Sequence, residues 1–131
     1  MIHAAQTETF MRKIFLTAAA FALVATAAQA GDANNGKTVF ARCAICHTVQ
    51  KGGPNGLGPD LFGVVGRKAA SLPSFMYSGA LKSSGITWTP DKIKAWVQGP
   101  MRMVPGTKMS FAGLSSAKQA DDVVTYLSTL K

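Results

Sequence analysis

A predominantly apolar stretch of about 15 residues lies inside Met11–Ala30, MRKIFLTAAAFALVATAAQA, between the basic pair Arg12 and Lys13 and the small-residue ending Ala28-Gln29-Ala30. After this stretch the pattern becomes helical. Asp32 is a capping residue for a helix whose Ala33, Gly36, Val39 and Phe40 share one face. A glycine inside a helix costs about 1 kcal/mol relative to alanine, so Gly36 predicts that another backbone or a bulky side chain comes close to that face. Thr89-Pro90-Asp91 combines a capping hydroxyl, a proline preset for the first turn and an acid at the positive end of the dipole. Ile93, Trp96 and Val97 form the apolar stripe of that second helix, and Gly99-Pro100 reads as its stop. A third helix, from about Ser116 to Leu130, has Ala120, Val123, Val124, Leu127 and Leu130 on one side, with Lys118 and Asp121 turned to solvent. Between the first two helices, residues 51–66 hold six glycines and two prolines and read as irregular loop. No alternating strand pattern of useful length and no internal repeat occurs, so the predicted class is all-α with long loops.

The order basic, apolar, small-residue is that of a secretory signal peptide over residues 1–30, with cleavage after Ala30 and before Gly31. Residues 1–10 carry Glu8 and little hydrophobicity; either they lengthen the leader or Met11 is the true start. A retained leader acting as a membrane anchor is the alternative, although its apolar stretch is shorter than the ~20 residues a spanning helix needs. Export of this kind predicts a bacterial periplasm or a comparable oxidising space. What remains, residues 31–131, is one domain of 101 residues. A chain that short buries only about 60–70% of its unfolded surface, so an additional source of stability is expected. At 47% hydrophobic and 15% charged the sequence is too apolar for a disordered chain.

Lys and Arg number 14 against 6 Asp and Glu, a net +8. Without Arg12, Lys13 and Glu8 there remain 12 basic and 5 acidic residues, a surplus of seven. Such a surplus speeds encounters with anionic partners, whether acidic proteins or lipid headgroups. The basic residues are scattered singly and no cluster interleaves with aromatics, so a nucleic-acid groove is not predicted.

The strongest chemical signal is Cys43-Ala44-Ile45-Cys46-His47. Two thiols three apart can each add to a vinyl group of one haem, and the adjacent imidazole is then presented to the iron. The same cysteines could instead form a redox or structural disulfide, though the thioredoxin-like pattern that usually surrounds one is missing. Zinc would need a distant carboxylate, because His3 belongs to the leader and His47 is the other histidine. The sixth coordination position separates electron transfer from small-ligand chemistry. Among Met76, Met101, Met103 and Met109, the last stands in Pro105-Gly106-Thr107-Lys108-Met109, a turn that delivers a thioether away from any helix face. A soft thioether opposite histidine stabilises ferrous iron and suits a carrier.

With these residues in hand, the chain resembles the class I c-type cytochromes, the mitochondrial type and the bacterial cytochrome c2-like proteins. The matching stretches are CAICHTVQKGG (43–53), GLGPDLFGVVGRKA (56–69), GITW (85–88), PGTKMSFAG (105–113) and DDVVTYL (121–127). The resemblance implies a small cytochrome c fold, three main helices and long loops wrapped around one haem c bound through Cys43 and Cys46. It implies His47 and Met109 as the axial iron ligands, and Pro59 as the carbonyl that accepts the histidine ring N–H. Arg67, Tyr77 and Trp88 correspond to residues near the haem propionates, and Thr107 to the threonine of the methionine loop. Gly36 and Phe40 match the place where the first helix crosses the last, near Val123 and Tyr126. The implied function is a periplasmic one-electron carrier, monomeric and not an enzyme, shuttling between respiratory or photosynthetic redox complexes. Implied partners are acidic faces of a bc1-type complex, terminal oxidase, reaction centre or periplasmic reductase, with peripheral membrane contact and no nucleic acid. A labile methionine would instead give a haem peroxidase or a gas sensor. Four departures stand out. Trp96 replaces a tyrosine that in many relatives hydrogen-bonds toward the methionine sulfur. Asp60 stands where asparagine is common, and Leu81 where a polar residue is. Arg42, Arg102 and Lys108 match the family's basic docking ring, whereas Met101 replaces one of its members.

Overall fold

The computed structural model describes residues 31–131, so the leader read over residues 1–30, with its alternative start at Met11, lies outside the described residues. Five helical segments follow one another: α1 (Ala33–Phe40), α2 (Gly79–Lys82), α3 (Pro90–Gln98), α4 (Pro100–Met103) and α5 (Ala117–Ser128). Among the described residues the sheet content is one isolated antiparallel bridge, Lys68 with Thr87. None of the described helices is long and apolar enough to cross a membrane.

The three longer helices start at side-chain caps, Asp32 and Thr89 as predicted and Ser116 where the third helix was expected to begin. Asp32 accepts from the Asn34 and Asn35 amides, Thr89 Oγ1 from Lys92 with Pro90 in the first turn, and Ser116 Oγ from Gln119. Each contact satisfies an amide that the first helical turn leaves without a partner. The expected stop at Gly99-Pro100 is a change of direction instead. Gly99 is extended (φ 179°), and Pro100 opens α4. A proline suits a first helical turn as well as it blocks a continuing one.

The tightest packing is the crossing of α1 on α5. A Cβ on Gly36 would lie 2.7 Å from the Tyr126 Cβ and closer still to the Asp122 backbone, which accounts for the glycine at this position. One turn on, the Phe40 ring leans on Tyr126 with centroids 5.4 Å apart. Asp122 is buried here: its carboxylate accepts the Asp32 amide at 2.8 Å and Lys118 Nζ at 2.8 Å. Its neighbour Asp121, expected in solvent, pairs with Lys94 of α3 at 2.7 Å, both side chains half-exposed. The core formed by Phe40, Ile93, Val97, Val123 and Leu127 thus lies where α1, α3 and α5 meet, and these same side chains form one wall of a large cavity.

Candidate functional site

The cavity measures about 760 Å³, within the range of small-molecule and cofactor sites. Cys43 and Cys46 follow α1 in a series of turns closed by Cys43 N–H to Phe40 O (2.8 Å), Cys46 N–H to Cys43 O (3.0 Å) and His47 N–H to Cys43 O (2.9 Å). These turns bring both thiols and the imidazole to one wall of the cavity. No disulfide joins Cys43 to Cys46, against the disulfide alternative. Burial raises the Cys43 pKa, with Arg42 opposing and Cys46 reinforcing, so the thiol is the protonated form at neutral pH.

His47 is fixed by the glycine-rich loop. Its Nδ1 lies 2.7 Å from the Pro59 carbonyl, an oxygen that can only accept, so Nδ1 carries the proton and Nε2 keeps its lone pair. Burial pushes the imidazole below its ordinary pKa, the Pro59 acceptor opposes this and the Arg67 cation adds to it; the ring is neutral at pH 7. Gly58 packs against the ring face, where a Cβ would come within 2.7 Å of Nδ1. The loop itself closes through Gly58 N–H to Cys46 O at 2.8 Å, Leu61 N–H to Thr48 O at 2.8 Å and the Asp60 amide to Asn55 Oδ1 at 2.8 Å.

Opposite stands the 104–114 loop. Thr107 N–H bonds to Val104 O at 3.1 Å, Thr107 Oγ1 accepts from the Met109 amide at 3.4 Å, and Leu114 N–H reaches Val97 O at 2.8 Å. Met109 and Thr107 both line the cavity. The indole Nε1 of Trp96 donates to Met109 Sδ at 3.1 Å, and Trp88 meets the Trp96 ring edge-on with centroids 5.2 Å apart. Met76, Met101 and Met103 are absent from the cavity wall; Met76 and Met101 are exposed.

Arg67, Tyr77 and Trp88 are gathered on the cavity as well. The Arg67 guanidinium donates to the Asp60 carbonyl at 2.9 Å and reaches that of Phe62 at 3.4 Å. Tyr77 accepts the Leu72 amide at 3.3 Å. Pro59 and its flanking residues complete the set, so all nine residues singled out from the sequence meet at one cavity. Sequence reasoning missed two members of the frame. Gly58 fits the imidazole, and Asn55 braces Asp60 while donating to Ser74 Oγ at 3.0 Å. A glycine directly before Pro59 was the available signal for the first of these; the second depends on contacts between separate segments.

The wall is largely apolar, with Leu61, Val64, Phe75 and Leu81 beside the aromatic residues, and its polar groups converge from opposite sides. An apolar macrocycle that bonds two thiols fits this donor set and this volume. The fold and site therefore define a small helical haem protein with a CxxCH attachment segment. The family model for cytochrome c matches residues 33–131, and the chain belongs to the cytochrome c family. It is 45% identical over 102 residues to a cytochrome c2 of Rhodoblastus acidophilus, a match spanning 78% of this chain and 95% of that protein. To a cytochrome c2 of Rhodomicrobium vannielii it is 43% identical over 117 residues, 89% of this chain and 94% of the relative. Cytochrome cH from Methylobacterium extorquens has the same fold, with a TM-score of 0.71 and 47% identity over 76% of this chain and 99% of the other. The prosthetic group is haem c, bound through Cys43 and Cys46, and the protein carries electrons.

Proposed function

We propose that the protein is a periplasmic one-electron carrier whose haem iron is ligated by His47 and Met109, and that it is not an enzyme. The observation that carries this reading is the pairing across one cavity of an imidazole with a free Nε2 and a thioether held by an indole N–H. Haem bound here supplies a one-electron Fe(II)/Fe(III) couple. The residues around it orient and exclude water. Pro59 fixes the tautomer and ring plane of His47. Thr107 and Trp96 hold the backbone and sulfur of Met109. Arg67 brings a half-buried cation to the wall, suited to the anionic propionates together with Tyr77 and Trp88. Fixing both ligands in advance keeps the rearrangement between oxidation states small.

Residues 1–30 act as the export signal in this reading, cleaved after Ala30. The partners are acidic faces of membrane-bound or periplasmic redox complexes, met through small contacts around Arg42, Arg102 and Lys108, with the protein monomeric. Screening reaches about 8 Å at physiological ionic strength, so electron transfer to such a face slows as salt is added. The deciding experiment is carbon monoxide exposure of the reduced holoprotein at neutral pH, combined with N-terminal sequencing of the purified protein. Slow or absent carbon monoxide binding and a first residue of Gly31 are expected. Rapid binding would point instead to a peroxidase or gas sensor, and a retained leader to a membrane-tethered cytochrome.

A further inference from the structure

The Pro59–Asp60 peptide is a single amide group that is engaged at both ends. Its carbonyl accepts the His47 Nδ1 proton at 2.7 Å, and its N–H donates to Asn55 Oδ1 at 2.8 Å. Asn55 is held in turn, because its Nδ2 donates to Ser74 Oγ at 3.0 Å. Hydrogen bonds linked through one amide polarise one another, so the Asn55 contact makes the Pro59 oxygen a stronger acceptor for the imidazole. The same segment carries a charge. Asp60 is buried behind the wall that its neighbours Pro59 and Leu61 form, and its Oδ1 accepts the Phe62 amide at 3.1 Å. The Arg67 guanidinium is fixed by main-chain oxygens, of Asp60 at 2.9 Å and of Phe62 at 3.4 Å, and among the described residues the Asp60 carboxylate forms no ion pair. Asparagine, common at this position in relatives, has nearly the same shape and no charge.

We propose that Asp60 is a positioning residue acting through His47: its buried carboxylate strengthens the hydrogen bond between the imidazole and the Pro59 carbonyl and holds the iron's reduction potential below the value that asparagine would give. The proposal rests on the reading of His47 as an iron ligand. A firmer acceptor at Nδ1–H leaves more electron density on Nε2, and a more basic imidazole favours ferric iron. The field of the carboxylate acts in the same direction, since ferric iron carries one more positive charge than ferrous iron. Both effects arrive from the His47 side of the cavity, so Asp60 sets the potential without disturbing the contacts that hold Met109.

Asp60→Asn removes the charge and keeps the shape, whereas Asp60→Glu keeps the charge. At neutral pH the midpoint potential of Asp60→Asn holoprotein should be higher than that of the unmutated protein, by roughly three- to tenfold in the ferrous-to-ferric ratio, or about 30–60 mV at ~59 mV per tenfold for one electron. Asp60→Glu should stay close to the unmutated value. Proton–nitrogen NMR of the ferrous holoproteins supplies a second readout: the His47 Nδ1 proton should move upfield in Asp60→Asn, as its hydrogen bond weakens, and hold its place in Asp60→Glu. An unchanged potential in Asp60→Asn, or equal shifts in the two variants, overturns the proposal and leaves His47 a ligand. His47 ring protons at ordinary positions in the unmutated ferrous protein, rather than strongly upfield as for an imidazole bound over a haem, overturn the ligand reading itself.

Discussion

At the crossing of α1 and α5 the chain makes every contact with itself. Gly36 admits the α5 backbone, Phe40 leans on Tyr126, and the buried Asp122 closes on Asp32 and Lys118. The loops at 48–66 and 104–114 are built differently: they hold few side chains against each other and many against the cavity, and they are pinned by isolated hydrogen bonds such as His47–Pro59 and Trp96–Met109. One region is a scaffold stabilised by close packing; the other is ordered around a prosthetic group. The two are joined, because Phe40, Val97, Val123 and Leu127 belong both to the core and to the cavity wall. The side chains shared by core and cavity would pack against the covalently attached haem, which adds apolar burial to a core of modest size.

The largest effect is expected from Cys43→Ala combined with Cys46→Ala. The purified protein should lack the mass of a covalent porphyrin and lose cooperative unfolding. Hydrogen exchange sharpens the comparison: amides of the two loops should exchange at once, while any remaining protection lies at the α1–α5 crossing. Equal protection in the loops would break it. Next comes Gly36→Val, which forces a branched side chain into the Asp122 backbone; a loss of about 3 kcal/mol or more is expected from denaturant unfolding of the holoprotein. The visible spectrum of the folded fraction should stay unchanged, since the strain lies in the scaffold.

A pH effect of intermediate size follows from Asp122. The Asp32 amide, first, and Lys118, second, hold its carboxyl below the ordinary carboxylate pKa. A depressed folded value means that stability is fully present above the unfolded pKa of about 3.9 and is lost as pH falls from there through the folded value. Asp122→Asn should therefore flatten the acid limb of a stability-against-pH curve below about pH 4, while lowering stability at neutral pH. A variant with an acid limb as steep as that of the unmutated protein would contradict this. The smallest change is Ala70→Gly. Ala70 lies on the cavity in the left-handed region, φ 58°, and glycine relieves that conformation. A gain of about 0.5–1 kcal/mol in unfolding free energy is expected, and a loss would show that the Ala70 methyl packs usefully against the cavity.

How far the sequence could be read follows the same division. Helices α1, α3 and α5 were legible because each has a capping side chain and a 3.6-residue apolar period, and their boundaries agree closely. The four-residue helices α2 and α4 were not, since four positions display no period. Cys43, Cys46, His47 and Met109 stood out by residue type and local spacing. Asp122 did not, because next to Asp121 the two look alike; one becomes buried only when Asp32, 90 residues earlier, folds onto it. The contact of Trp96 with Met109 likewise depends on how α3 faces the 104–114 loop. The family resemblance could name the donor but not the distance.

The central claim, that distant parts of the chain grip one iron through His47 and Met109, is tested most directly by the ferric absorption spectrum of the unmutated holoprotein beside that of Met109→Ala. The account predicts a weak far-red charge-transfer band in the first and none in the second. A band missing from the unmutated protein, or surviving in the variant, would contradict it.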